Sequence, residues 1–470
     1  MAPHDALGPR PSGAPPEAWK PLVRAKRAAI RPLERFLGVE AASGIVLLVA
    51  AGLAMLLANS AWAHAYASVW HTPIGIRLGA FRFERSLEWV VNDGLMVIFF
   101  FVVGMEIRRE LHHGELSVWR RAVLPFAAAL GGMLAPAAIY LLIAGGPPTR
   151  SGWGVPMATD IAFAVGLLAL LGKRVPAALR VLLLALAVID DLGAIVVIAL
   201  FYSSGVQALG LLVAALSLGV IFAMQRAAIR SKAAYIAPAL VTWGGVYAAG
   251  VHPTIAGVLV GLVTPVRAWL GAEGFANSLR NELEQLSDPS TASPHELQTS
   301  LHHVDNARRE ALSPAASLIE SLHPWVAFGI MPLFALANAG VSVSGPAASE
   351  HTLPVTLAVA VGLFAGKPIG VLLACWLALR SGLASLPGGI TFRHLSVLGV
   401  VASVGFTMAL FVAQLAFVDP ALLAAAKIGV LSGSVAAGVC GLLLGRALLA
   451  PSSARGVALT ADEAEASTEA

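Results

Sequence analysis

Charged residues are scarce in this chain: Asp, Glu, Lys and Arg make up 12% of its 470 residues, against 57% hydrophobic. Together with a mean hydropathy of +0.79, that shortage excludes an ordinary soluble protein, which needs far more charge, and leaves a polytopic membrane protein. Cysteine is nearly absent. Cys375 and Cys440 both fall in apolar stretches, which excludes a disulfide framework or a metal-ligating spacing and leaves two packing residues. The polar, Pro-rich start has no early apolar core, so the first span is expected to act as an uncleaved anchor. A net charge of +4 reflects loops whose charge topology sets. No nucleic-acid partner, cofactor or enzymatic activity is expected.

What the chain has in plenty is apolar runs. Stretches of roughly 17–25 residues can cross a bilayer as helices. They read as about twelve spans: 40–58, 88–107, 122–144, 153–172, 178–202, 208–225, 234–250, 253–266, 322–343, 354–379, 395–417 and 421–446. Basic residues cluster before Arg35 and at Arg108/Arg109/Arg120/Arg121, Lys173/Arg174/Arg180, Arg226/Arg230/Lys232, Arg267 onward, Arg380/Arg393 and Arg446. They fall at every second loop, with Arg77, Arg82 and Arg85 in the first loop as the exception. Both termini are therefore expected in the cytoplasm. The expected organisation is a cytoplasmic segment (1–38), transmembrane helices 1–8 (39–266), a polar, partly helical cytoplasmic linker (267–320), transmembrane helices 9–12 (321–446) and a disordered acidic tail (447–470). Between the first two spans, Thr72 to Phe83 (TPIGIRLGAFRF) alternates apolar residues around Leu-Gly-Ala and reads as a hairpin.

Two spans are interrupted. Pro156 and the pair Thr159-Asp160 break the fourth, and Ser403, Gly405 and Thr407 break the eleventh. Free backbone groups in hydrocarbon cost several kcal/mol each, so such breaks survive only against protein or a wet cavity. Spans 3–5 (within 122–202) and spans 10–12 (within 354–446) start at opposite faces, each triplet with its weak point in the middle. The expected fold is thus an all-α polytopic membrane protein with inverted three-helix repeats and two interrupted helices crossing at the midplane.

The chemistry concentrates in a few misplaced charges. Asp190 and Asp191 stand in the middle of VLLLALAVIDDLGAIVVIAL, Val181 to Leu200. A charge at mid-membrane costs about 2.5–3.5 kcal/mol by insertion measurements, so each must be neutralised by a proton or occupied by a cation. A helix end exposed to water is the plainer alternative, but apolar runs of nearly ten residues flank the pair. Successive helix residues are about 100° apart, so one aspartate can line a cavity while the other faces a neighbouring helix. Lys367 lies near the centre of TLAVAVGLFAGKPIGVLLACWLAL, roughly 16 Å from either end and too deep to snorkel. Asp190 or Asp191 is its expected partner. Asp160, at the break in span four, can offset half-helix N-termini, serve as a cation ligand, or both. Thr159 adds a hydroxyl beside released carbonyls, an oxygen set suited to Na⁺.

The runs ATDIAF (158–163), IDDLGAI (189–195), GKPIG (366–370), VGFTMA (404–409), HPWVAF (323–328) and FALANAG (334–340) resemble the NhaA family of bacterial sodium/proton antiporters, in order and with matching spacing, from about residue 36 to 446. That family is itself a standing example of the inverted-repeat architecture. The resemblance implies that Asp191 is the principal Na⁺ ligand, that Asp190 is the second carboxylate and takes part together with Lys367 in the exchange, and that Thr159 and Asp160 belong to the crossing-helix site. It implies an accessory role for Asp93 and a pH response carried by Glu106, Arg109 and Glu110 in GMEIRREL, by His252 in GVHPTIAGV, and by Glu320. It also implies a homodimer contact at the 72–83 hairpin and a place in the bacterial inner membrane. Two departures bear on the pH response. Before HPW this chain has Leu318-Ile319-Glu320-Ser321, with the glutamate displaced by one and the family's histidine missing, and the 267–320 loop is longer than in compact members.

The expected activity is exchange of intracellular Na⁺ or Li⁺ for external H⁺, electrogenic and pH-regulated. A buried site and a nearby ammonium act oppositely on a carboxylate's proton affinity, so Na⁺ and H⁺ compete for one place. Two other classes compete with this reading. A sodium-coupled symporter needs further polar groups at the midplane for its solute. An intramembrane aspartyl protease needs carboxylates converging from different helices and a Gly-x-Gly-Asp motif, which is absent.

Overall fold

Runs that are apolar on every face can satisfy their backbone in hydrocarbon only as helices, and helices are what they form. The computed structural model describes residues 40–449 except 80, 204, 228, 230, 286–292 and 343–349. The expected N-terminal segment and the acidic tail beyond 449 lie outside the described residues, as does 286–292 of the linker. Helix α1 (Glu40–Ala58) turns by 114° into α2 (Ala63–His71). Strands β1 (Pro73–Leu78) and β2 (Phe81–Ser86) pair antiparallel, from Pro73 opposite Ser86 to Leu78 opposite Phe81. Gly79 holds a φ of +60° at the turn, a conformation that favours glycine.

Helix α3 (Leu87–His113) follows, then α4 (Trp119–Ala144), a 3₁₀ segment (Thr149–Met157), α5 (Ile161–Leu171), α6 (Ala177–Phe201), α7 (Ala208–Arg226), α8 (Ile236–Ala248) and α9 (Thr254–Val263). Helices α10 (Gly271–Gln285) and α11 (Pro294–Ala311) pack against each other in the linker, where Glu282 pairs with His303 at 2.9 Å. The chain ends in α12 (Pro314–Asn338), α13 (Thr352–Arg380), α14 (Phe392–Ala402), α15 (Phe406–Ala416) and α16 (Pro420–Leu448). The fold is that of an all-α polytopic membrane protein. Among the described residues seven helices (α3, α4, α6, α7, α12, α13 and α16) are long and apolar enough to cross a membrane, or up to ten if each bent pair is one span. The stretches expected as the seventh and eighth spans form helices of 13 and 10 residues, α8 and α9.

Both interruptions foreseen in the sequence are bends: 40° between the 3₁₀ segment and α5, and 49° between α14 and α15. Two further irregularities have a proline behind them. Helix α12 widens into a π turn at Val326–Ile330 before Pro332, and α13 does so at Gly362–Gly366 before Pro368. Proline donates no N–H and its ring crowds the carbonyl four residues back, so the helix takes up one extra residue per turn there. Lys367 sits at that widening.

Small residues bring helices together, as expected where lipid and side chains are equally apolar. Gly131 on α4 faces Gly370 on α13 so closely that a Cβ on either would overlap the other's carbonyl oxygen. This contact holds α13, and with it Lys367, against α4. Helix α7 leaves Leu209, Leu212 and Leu216 exposed, an apolar face suited to lipid.

Candidate cation site

The site is built where the two bent spans meet. After Pro156 the chain leaves the 3₁₀ segment in extended form, with Ala158 at ψ 146° and Asp160 at φ −92°, ψ 102°. That geometry makes Asp160 the N-cap of α5, its Oδ1 accepting from the Phe163 N–H at 3.0 Å. The other oxygen, Oδ2, accepts from the Thr407 N–H at 3.2 Å and from the Thr407 hydroxyl, in the first turn of α15. One carboxylate thus caps two half-helices, whose N-terminal dipoles both favour its charge. The Asp160 N–H donates to the Val404 carbonyl at 2.7 Å and ties the two breaks together.

The C-terminal ends of the other two halves are treated differently. Lys367 Nζ donates to the Met157 carbonyl, at the end of the 3₁₀ segment, and a cation there suits the negative pole. At the end of α14 the Ala402 carbonyl lies 3.0 Å from Thr159 Oγ1. The same hydroxyl lies 2.6 Å from Asp190 Oδ2. It has one proton, so it can serve only one of these acceptors at a time.

Asp190 and Asp191 lie in the middle of α6. Lys367 Nζ is 2.9 Å from Asp190 Oδ2, so the alternative left open by the sequence falls to Asp190. Asp190 Oδ1 and Asp191 Oδ2 are both buried without a hydrogen-bond partner. Exposure is 1% for Asp160 and Asp190, 4% for Asp191 and zero for Thr159, Lys367 and Thr407. Water therefore neutralises none of these charges. Helix termini answer Asp160, and an ammonium answers Asp190. Asp191 has neither, and its charge must be met by a proton or a cation.

Of the remaining residues singled out in the sequence, Glu106 lies within electrostatic range of Asp191 and the others lie apart. Asp93, in a π-helical stretch of α3 (Val90–Leu95), meets His252 Nε2 through Oδ1 at 3.1 Å. The other imidazole nitrogen is 2.7 Å from Thr254 Oγ1, and the ring stands edge-on to Phe411 at 5.3 Å. Two residues read separately in the sequence are thus one pair. Glu106 and Glu110 are half-buried on α3, with Glu110 Oε2 accepting from the Glu115 N–H at 3.3 Å, and Arg109 and Glu320 are exposed. Among the described residues none of these four is hydrogen-bonded or ion-paired to the aspartate site.

Sequence reasoning missed two features. Thr407 was visible only as a break residue, not as the partner of Asp160. The second is a buried amide cluster: Asn92 on α3 donates to Gln414 Oε1 on α15 at 2.7 Å, and Asn338 at the end of α12 donates to Asn92 Oδ1 at 2.7 Å. Gln414 also donates to Asn338 and reaches Glu88 at 3.3 Å. An isolated amide in an apolar run was the available signal. It fastens the far end of α15, whose near end is held by Asp160.

Residues 34–444 match the protein family described as Na+/H+ antiporter 1. The chain is 66% identical over 462 residues to "Na(+)/H(+) antiporter NhaA 2" of Myxococcus xanthus, covering 98% of each protein. It is 56% identical over 462 residues to the protein of that name from Sorangium cellulosum, covering 97% of this chain and 98% of the relative. A Pseudomonas putida protein of the same name is 48% identical over 431 residues, covering 90% of this chain and 95% of its own length.

Proposed function

The chain belongs to the Na+/H+ antiporter NhaA family, and from that premise we propose that Asp191 is the group for which Na⁺ and H⁺ compete. The observation that carries this reading is the buried carboxylate oxygen of Asp191 with no hydrogen-bond partner, next to two aspartates whose charges are already met. A proton or a Na⁺ can neutralise it, and binding of either expels the other. Asp190, the Thr159 hydroxyl, carbonyls freed by the break and water complete an oxygen set for a hard cation. Li⁺, equally hard and smaller, is carried too.

Lys367 and Asp190 form the second element of the exchange. Loss of the Lys367–Asp190 contact frees Asp190 Oδ2 for the cation, and its return closes the site. Asp160 serves as the fixed charge that holds α5 and α15 together while the crossing assembly turns the site from one face to the other. Twelve spans, of which 3–5 and 10–12 form two inverted three-helix repeats, supply that motion, with α8 and α9 as the short seventh and eighth. The protein works in the bacterial inner membrane with both termini inside, exporting Na⁺ or Li⁺ against inward H⁺. Each net charge moved draws about 2.3 kcal/mol per 100 mV, so exchange of more H⁺ than Na⁺ is electrogenic. The Asp93–His252 pair, Glu106, Arg109, Glu110 and Glu320 tune its response to pH. The β1–β2 hairpin joins two copies.

The test is dequenching of a trapped pH dye in inverted vesicles on addition of Na⁺ or Li⁺, scanned across pH. Wild type should respond and Asp191→Asn should not, while purified Asp191→Asn still melts cooperatively. Na⁺-dependent H⁺ release retained in that variant refutes the role of Asp191. No dequenching in wild type at any pH refutes exchange.

A further inference from the structure

Away from the aspartates, a cavity of about 460 Å³ opens among the ends of α3, α7 and α9. Its polar wall is basic: Arg108 and His112 on α3 and Arg267 after α9 line it, and no carboxylate does among the described residues. Arg226, the last residue of α7, lies over the ring of Phe222, one of the lining residues, at 5.0 Å. Gln225 adds one amide, and the rest of the lining is apolar, chiefly Phe222, Leu262 and Val266. The nearby acid on α3, Glu110, is turned away and engages the Glu115 backbone.

Arg108 carries the argument. Its Nε is buried and has no hydrogen-bond partner, although an orphaned charged donor is costly. Its carbonyl accepts from His112 Nδ1 at 3.0 Å, which holds that ring beside it. Guanidinium groups offer forked donors that suit phosphate oxygens, and basic pockets between membrane helices are where anionic headgroups bind. The geometry points to a phosphate-binding site here: Arg108 and Arg267 hold the phosphate, and the Phe222–Leu262–Val266 wall takes whatever apolar part it carries. The phosphate is either the headgroup of an anionic lipid or a soluble phosphate. The site also lies against the start of the linker. The Ala315 N–H at the start of α12 donates to the Pro265 carbonyl at 3.1 Å, and Lys232 Nζ donates to Ser317 Oγ at 2.7 Å, so an occupied cavity braces α12 against the bundle.

The full chain in detergent is titrated with dihexanoyl phosphatidylglycerol, dihexanoyl phosphatidylcholine and inorganic phosphate, and its thermal midpoint is followed. Phosphatidylglycerol should raise the midpoint saturably and phosphatidylcholine should not. The half-saturating concentration should rise about tenfold in Arg108→Gln/Arg267→Gln, the loss expected for charge-assisted bonds. Equal protection by inorganic phosphate supports the site and assigns it to soluble phosphate; protection by phosphatidylglycerol alone assigns it to lipid. Equal protection by phosphatidylcholine, an unchanged half-saturation in the variant, or no protection by any of the three overturns the proposal. Should the double variant fail to fold, Arg267→Gln at its exposed position is read by the same criteria.

Discussion

Removing the ammonium from the midplane is the sharpest test of the electrostatics. Lys367→Met keeps most of the apolar stem that runs past Gly132 and deletes only the charge 2.9 Å from Asp190 Oδ2. Breaking a buried pair by removing one partner costs about 3–5 kcal/mol, because the other charge is left without compensation. Here Asp190 would keep only the Thr159 hydroxyl, and the Met157 carbonyl would lose its donor. Most of that cost disappears if a proton settles on the orphaned carboxylate. The loss should therefore be greatest at alkaline pH and shrink on acidification, each pH unit being worth at most about 1.36 kcal/mol. Lys367→Met/Asp190→Asn removes both charges and should recover much of the stability. Thermal unfolding of the four proteins in micelles across pH completes the cycle. A Lys367→Met variant that melts with wild type at alkaline pH, or a double variant less stable than either single one, would refute the ion-pair account.

Three further outcomes are expected. Thr407→Val removes the hydroxyl that donates to Asp160 and should destabilise the protein by about 1–3 kcal/mol while weakening apparent Na⁺ affinity; unchanged melting would show that the double cap is not a tether. His252→Arg keeps a permanent cation beside Asp93, so the pH profile of exchange should move with little change in maximal rate, and a profile that stays in place removes that pair from the pH response. In the linker, hydrogen bonds from Ser300 and His303 hold the Glu282 carboxyl below its ordinary range. Its contribution is then present above the unfolded carboxylate pKa of about 4.3 and is lost as pH falls through the lowered folded value. Amide-exchange protection in α10 and α11 should fall on acidification below that range, and Glu282→Gln should abolish the step; an identical acid step in the variant sinks this prediction.

Apolar runs, interrupted spans and isolated mid-span charges are properties of sequence order, because hydrocarbon leaves a backbone no alternative to helix and leaves a charge no alternative to a partner. For that reason the two bends, the hairpin around Gly79 and an ammonium–carboxylate pair at Lys367 could all be read from the chain alone. The choice between Asp190 and Asp191 could not. It depends on how α6 and α13 each pack against α4, where the Gly131–Gly370 contact and the π turn before Pro368 fix the position of Lys367. Likewise, Asp160 meets Thr407, 247 residues away, and Asn92 meets Gln414, 322 residues away, only because helices distant in the chain pack side by side. The basic cavity at Arg108 draws on three separate helix ends. Local sequence decides which groups must find a partner; long-range packing, set by where small residues let backbones approach, decides which partner each one finds.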